Sequence, residues 1–200
     1  MYRRIAGWVL MTGVILTLAG CASAPTEQVS AAEQAMNQAA AAEADKYVPD
    51  EFQKAQTTLD EAQTALKAED EKFSMFRDYD PIKTKLSQAT EEFNSAAQAA
   101  EMKKEEVQKQ NQQALADAEQ ALASAQAALE KAPRGKGSQA DLEQMRADLD
   151  AASAALDTAR QQQQAGNFLD AQSQIQSAKS KADAVSSQVE EAIKARRGRR

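Results

Sequence analysis

The sequence predicts an all-α chain, an elongated antiparallel bundle of about five helices arranged as coiled-coil hairpins. Three observations carry that reading. Alanine recurs throughout, and alanine is the best helix former because it loses no side-chain rotamer freedom. Glycine and proline number only 7 and 4, and beyond the first 25 residues they fall at positions that read as turns or tails. Apolar residues recur at alternating steps of three and four, and no stretch alternates with the period of two that a half-buried strand needs. From Cys21 onward only 23 of 180 residues are Val, Ile, Leu or Phe, so the core is thin and slender, not wide.

Taken in order, residues 21–30 read as a short tether carrying Pro25. From Glu27 to about Asp45 the chain is Ala/Gln/Glu-rich, with Val29, Ala32, Met36 and Ala39 on a narrow seam, which predicts a helix. Tyr47-Val48-Pro49 breaks it, and proline, lacking an amide hydrogen, suits the first turn of the next helix. That second helix runs to about Lys72 with Phe52, Ala55, Leu59, Ala62 and Leu66 on one face. Phe73 to Tyr79 loses the spacing and holds three aromatics, reading as a loop folded back over the end of the bundle.

Asp80-Pro81 predicts a helix start, an acceptor at the cap followed by proline at the first helical position. Nothing stops this helix for about fifty residues, which at ~1.5 Å per residue is a length of about 75 Å. Its seam runs Ile82, Leu86, Ala89, Phe93, Ala96, Ala100, then Leu115, Ala118, Leu122, Ala125, Leu129. Between them, residues 103–111 are polar almost all round, and Val107, Asn111 and Leu115 follow one another by fours. That is a stutter, which rotates the seam to a new azimuth.

Residues 132–137 form the next turn, and Ser138 with Asp141 resembles a capping box opening a helix along Leu142, Met145, Leu149, Ala152, Leu156 and Ala159. Gly166 supplies the left-handed cap conformation and Asn167 is the expected cap of the last helix, whose seam is Phe168, Ala171, Ile175, Ala178, Ala182, Val185, Val189 and Ile193. A shift of 63 residues superposes Phe52, Leu59 and Leu66 on Leu115, Leu122 and Leu129. It also superposes Ile82, Leu86 and Phe93 on Met145, Leu149 and Leu156. The bundle of residues 31–195 therefore reads as a duplication, 46–105 and 109–165, two hairpins sharing the long helix, with 167–195 added and 196–200 as a frayed basic tail.

The first 21 residues set the location. Arg3 and Arg4 precede an apolar run from Ile5 to Leu18, the charged and apolar regions of a secretory signal, too short for the ~20 apolar residues of a membrane span. Leu18-Ala19-Gly20-Cys21 resembles the lipobox of bacterial lipoproteins. The resemblance implies a signal peptide over 1–20, cleavage between Gly20 and Cys21, and a covalent diacylglycerol and acyl group on Cys21 as the only attached group. Ala22 follows, not the aspartate that keeps such proteins in the inner membrane, so the expected location is the outer membrane, facing the periplasm.

Composition narrows the chemistry. Without residues 1–20 the chain has 22 basic and 30 acidic residues, a net charge of −8, against the basic surface expected of a nucleic-acid binder. There is no histidine and one cysteine, so zinc sites of Cys and His, and Cys–His or Ser–His–Asp nucleophile systems, are not expected. Gly135-Lys136-Gly137-Ser138 is not a phosphate loop, because Gly137 separates Lys from Ser and no strand precedes it; no nucleotide is expected. The candidate anion contacts are Arg134, Lys136, Arg196, Arg197, Arg199 and Arg200.

Asp45 to Ala55, followed by Leu59, Ala62 and Leu66, is similar to the start of the DUF4398 domain of helical Gram-negative lipoproteins, and the turn 132–138 with Asp141 is similar to that of its members. That resemblance implies location and fold, not an activity. Gly166-Asn167-Phe168-Leu169-Asp170-Ala171, with Ile175 and Ala178, resembles the mid-repeat turn of a tetratricopeptide repeat, with Asp183 where that repeat ends in proline. The expectation is a non-catalytic, lipid-anchored envelope protein, a helical spacer, scaffold or adaptor. Its partners would be the membrane and another envelope protein or peptidoglycan. The alternative is a module that captures a peptide or protein in a helical groove.

Overall fold

A computed structural model describes residues 23–132 and 139–198. Helix accounts for 89% of them, in six helices and without a strand, so the chain is an all-α bundle. The first helix, α1 (Thr26–Ala41), begins as soon as Pro25 allows: its carbonyl accepts the Val29 amide at 3.0 Å and its ring is fully buried. The tether expected over 21–30 is thus shorter, because nothing after Pro25 opposes helix. The buried line of α1 is Ala32, Ala35 and Ala39, with Val29 and Met36 half-buried at its margins. The line met by the partner helix is one that only alanines occupy, and small side chains there let two backbones approach closely.

The expected single helix to Asp45 divides in two, which is why there are six helices rather than five. Glu43 adopts a left-handed conformation (φ 60°), uncommon for a residue with a Cβ, and a one-turn helix α2 (Ala44–Tyr47) follows. Val48 is held at φ −141°, consistent with the crowding that proline imposes on its predecessor. Pro49 then opens α3 (Pro49–Asp70), which buries Phe52, Ala55, Leu59 and Ala62 as expected, together with Thr58 and Glu69.

α4 (Asp80–Glu130) is continuous over 51 residues. Pro81 stands in its first turn, but Asp80 is not its cap: Tyr79 takes that position, its carbonyl accepting the Lys83 amide at 2.8 Å, while Asp80 pairs with the Lys83 ammonium at 3.0 Å. The buried line passes Ile82, Leu86, Ala89, Phe93, Ala96, Ala100 and Val107, then steps by four to Asn111 and continues at Ala118 and Ala125. Leu115, Leu122 and Leu129 are half-buried beside it. The four-residue step is the stutter, and packing changes hands there.

α5 (Gln139–Gln164) and α6 (Phe168–Arg197) complete the chain; the cap assigned to Ser138 lies outside the described residues. Their joint is a Schellman cap. Gly166 has φ +83°, its amide reaches the Gln163 carbonyl at 3.2 Å, and the Asn167 amide reaches that of Gln162 at 2.9 Å. Asn167 stands at the N-cap of α6 as expected, its carbonyl accepting the Ala171 amide at 3.0 Å, but its side chain makes no cap bond and donates from Nδ2 to the Gln162 side-chain oxygen at 2.7 Å. Arg196 and Arg197, placed in a frayed tail from the sequence, belong to the last turn of α6, where cations meet the negative end of the helix dipole.

Three clusters of buried side chains describe the architecture. One joins α1, α2 and α3 to α4 from Ile82 to Val107; the other two join α5 and α6 to α4 at Ala118 and Ala125 and to Ala132 just past its end. Ala118 lies with Leu156 and Ile175, and Ala125 with Leu149 and Val185, so α6 runs along α4 and α5 returns against both. Glu43 touches Lys104, and α1 lies wholly in the cluster that ends at Val107, so α1 also runs along α4, with α3 returning. Two three-helix bundles stand in line and share α4.

Candidate functional site

Two places carry features that a plain spacer helix lacks: the junction of the bundles and the tip where α3 turns into α4.

At the junction, the left-handed Glu43 points its carboxylate at two ammonium groups, Lys104 at 2.6 Å and Lys46 at 2.8 Å. These hydrogen bonds, Lys104 first and Lys46 second, hold its pKa down to about 2 and outweigh burial; the same bond raises Lys104. The Lys104 ammonium also lies 5.7 Å from the centre of the Tyr47 ring, a cation–π contact. Burial raises the Tyr47 hydroxyl, opposed by Lys104, Lys46 and the backbone of Phe168. Phe168 and Leu169, at the head of α6, pack against the α1–α4 cluster. Two turns further along α4, Asn111 is fully buried and donates from Nδ2 to the Phe168 carbonyl at 2.7 Å, while its Oδ1 has no protein partner. The Nε2 of Gln163 is likewise buried and unpaired. This polar set fixes where α6 begins along α4, as a buried asparagine fixes register in a coiled coil.

The tip is built from Glu69 to Tyr79. The Arg77 guanidinium donates to the Asp70 carbonyl at 2.6 Å and the Lys72 carbonyl at 2.9 Å, closing the loop on itself. Glu69 accepts the Lys72 ammonium and the Asp78 amide, both at 2.7 Å, and these bonds, Lys72 first, lower its pKa. The buried Tyr79 donates its hydroxyl to Asp70 at 2.6 Å, a bond that raises the phenol pKa. On this frame a 3-10 turn (Ser74–Phe76) presents Phe73, Met75 and Phe76 outward at 74%, 73% and 71% exposure. The loop is therefore not folded over the bundle end as the sequence suggested: Tyr79 alone turns inward. Periodicity cannot report on a loop, and only its three aromatics within seven residues marked it.

The anion contacts expected from the sequence are not assembled among the described residues. Arg196 and Arg197 are exposed on α6, near the end where α4 stops and α5 starts, and make no ion pair among the described residues. Arg134, Lys136, Arg199 and Arg200 lie outside the described residues, as do Gly20 and Cys21. Among the described residues no cluster of carboxylate or thiol ligands is placed to hold a metal, and no helix is long and apolar enough to cross a membrane. The interhelical grooves are open and edged with charge: about 270 Å³ beside Glu130, Arg146 and Asp150, and about 530 Å³ beside Asp60, Glu61 and Lys85.

Compared with family models, with curated proteins and with solved structures, the chain matches none.

Proposed function

We propose that the chain is a lipid-anchored, non-catalytic protein of the bacterial envelope, related to the DUF4398 lipoproteins. Acylated Cys21 would hold it at the outer membrane, with the rod standing in the periplasm as spacer or adaptor. The observation that carries the reading is Leu18-Ala19-Gly20-Cys21 behind a charged and apolar leader. A rod whose long axis is one 51-residue helix suits a spacer, because length is what it supplies. Each buried CH₂ of an acyl chain contributes about 0.8 kcal/mol, so two or three chains hold firmly where one alone is marginal. The groove-binding alternative has less support: among the described residues the large apolar side chains left exposed are the three at the tip and the isolated Met102, while both grooves are edged with charge.

Mass spectrometry of the protein recovered from membranes tests the anchor. The expected product begins at Cys21 and carries diacylglycerol and acyl mass, whereas Cys21→Ser accumulates as an uncleaved precursor. Normal maturation of Cys21→Ser refutes the anchor, and recovery with the inner membrane on a density gradient refutes the outer-membrane location.

A further inference from the structure

We propose that the Phe73–Met75–Phe76 tip enters the phospholipid surface beside the anchor and sets the rod upright on the bilayer, an inference that rests on the acylated Cys21 proposed above. Direction comes first. From the Glu43–Lys104 contact, α1 runs back along α4 for about 25 Å at ~1.5 Å per residue. The start of α4 lies about 36 Å back by the same measure, so Thr26 sits roughly 10 Å short of the start of α4, toward the end of the rod that carries the tip. The five residues from Cys21 to Thr26 span at most about 17 Å, so an acyl group on Cys21 is tethered to the same end of the rod as the tip. The opposite end of the rod, where α6 stops, carries the exposed Arg196 and Arg197 instead.

Chemistry comes second. Three large apolar side chains exposed together on a nine-residue connection lose nothing by being replaced with polar ones unless something covers them. They are held out by a frame of five hydrogen bonds rather than left to collapse onto the bundle. Within that frame Lys72 pairs with Glu69, the Arg77 guanidinium is spent on two carbonyls and Asp70 accepts from the Tyr79 hydroxyl, while Glu71 and Asp78 are exposed without an ion pair among the described residues. Three exposed apolar side chains held outward together suit the apolar boundary of a lipid surface. Apolar side chains at such an interface bury about 5–10 Å into the boundary between headgroups and acyl chains.

The test uses the full chain, recovered from membranes and reconstituted into phosphatidylethanolamine–phosphatidylglycerol vesicles. The only tryptophan, Trp8, lies in the leader that processing removes, and Trp8→Phe keeps any uncleaved precursor silent as well, so Phe76→Trp, or Gln144→Trp at the far end, places one reporter. Bromine on the lipid acyl chains should quench the reporter at 76 by about twofold or more, a depth consistent with interfacial burial, and leave the one at 144 unchanged. Equal behaviour of the two reporters overturns the proposal. So does a reporter at 76 that is shielded from aqueous iodide yet untouched by brominated lipid, which would assign the tip to a second copy or another protein. The acyl group is read on the same samples by mass, so an unacylated chain condemns the anchor, while quenching at 76 alone decides the tip.

Discussion

Replacing Asn111 with leucine should make the protein more stable. Asn111 is fully buried, and one of its two polar ends, Oδ1, has no protein partner, a desolvation of about 1–3 kcal/mol uncompensated by any bond. The substitution loses the Nδ2 bond to the Phe168 carbonyl, about 1 kcal/mol net, and that carbonyl lies in the first turn of α6, where helix bonding is open to it. Leucine nearly matches asparagine in reach and restores an apolar residue to a line otherwise of Val107, Ala118 and Ala125, worth about 1.5–3 kcal/mol less some misfit. The balance is about 1–3 kcal/mol in favour of Asn111→Leu. With a urea m-value of about 2 kcal/mol per molar for a chain of this size, the midpoint should rise by about 0.5–1.5 M. Asn111→Ala, which leaves a hole instead, should lower it. A midpoint that falls by 0.5 M or more, about 1 kcal/mol, for Asn111→Leu refutes the reasoning: Oδ1 would then be satisfied, by a bridging water to Gln163 for instance.

Three further outcomes follow from described geometry. The Glu43 carboxyl is depressed from 4.5 to about 2, so its contribution is complete above about pH 5 and is lost as pH falls toward 2; the unfolding free energy from urea titrations should drop by about 1 kcal/mol more across that interval than in Glu43→Gln, after allowing for screening of a partly exposed pair. Parallel midpoints would refute it. Gly166→Ala should cost about 1 kcal/mol, from the +83° dihedral alone, since a Cβ there meets nothing within 4 Å; calorimetry showing no loss would mean that the cap relaxes. Leu86→Asp should cost several kcal/mol or unfold the N-terminal bundle, whereas Leu122→Asp, at a half-buried position, should cost clearly less; equal losses in denaturant titrations would contradict the burial pattern.

The helices legible in the sequence were those whose ends are dictated locally. α3, α4 and α6 begin within a residue of Pro49, Pro81 and Asn167, and Gly166 ends α5 through a dihedral that only glycine adopts cheaply. The heptad seam of α4 was legible through its stutter because large and small apolar residues alternate there. Where the seam is alanine on both sides, sequence loses the thread: Val29 and Met36 outrank Ala35 in hydrophobicity, yet Ala35 faces α4 because closeness decides that contact. Nor does any local rule place Glu43 in a left-handed bend. Its two lysine partners include one 61 residues away, a tertiary bond that overrides propensity. The cap assigned to Asp80 failed because the buried Tyr79, its hydroxyl on Asp70, takes that position, and Asn167, though at the N-cap, spends its side chain on the Gln162 amide at the surface. The tip was legible as composition but not as geometry, because what turns its phenylalanines outward is the bonding of Arg77 and Glu69.

The end-to-end meeting of α1–α2 with α6 along one continuous α4 gives the rod unequal responses to push and pull. Under compression along the axis, the head of α6 bears on Tyr47 and Val107, so two columns share the load beside each other. Under tension that joint carries only the packing of Phe168 and Leu169 and the contact of Tyr47 with the Phe168 backbone, and α4 alone bridges the two halves through residues 103–111, where Val107 and Asn111 are the buried side chains. Pulled apart, the molecule should yield first at this waist; pressed together, it resists along its whole length.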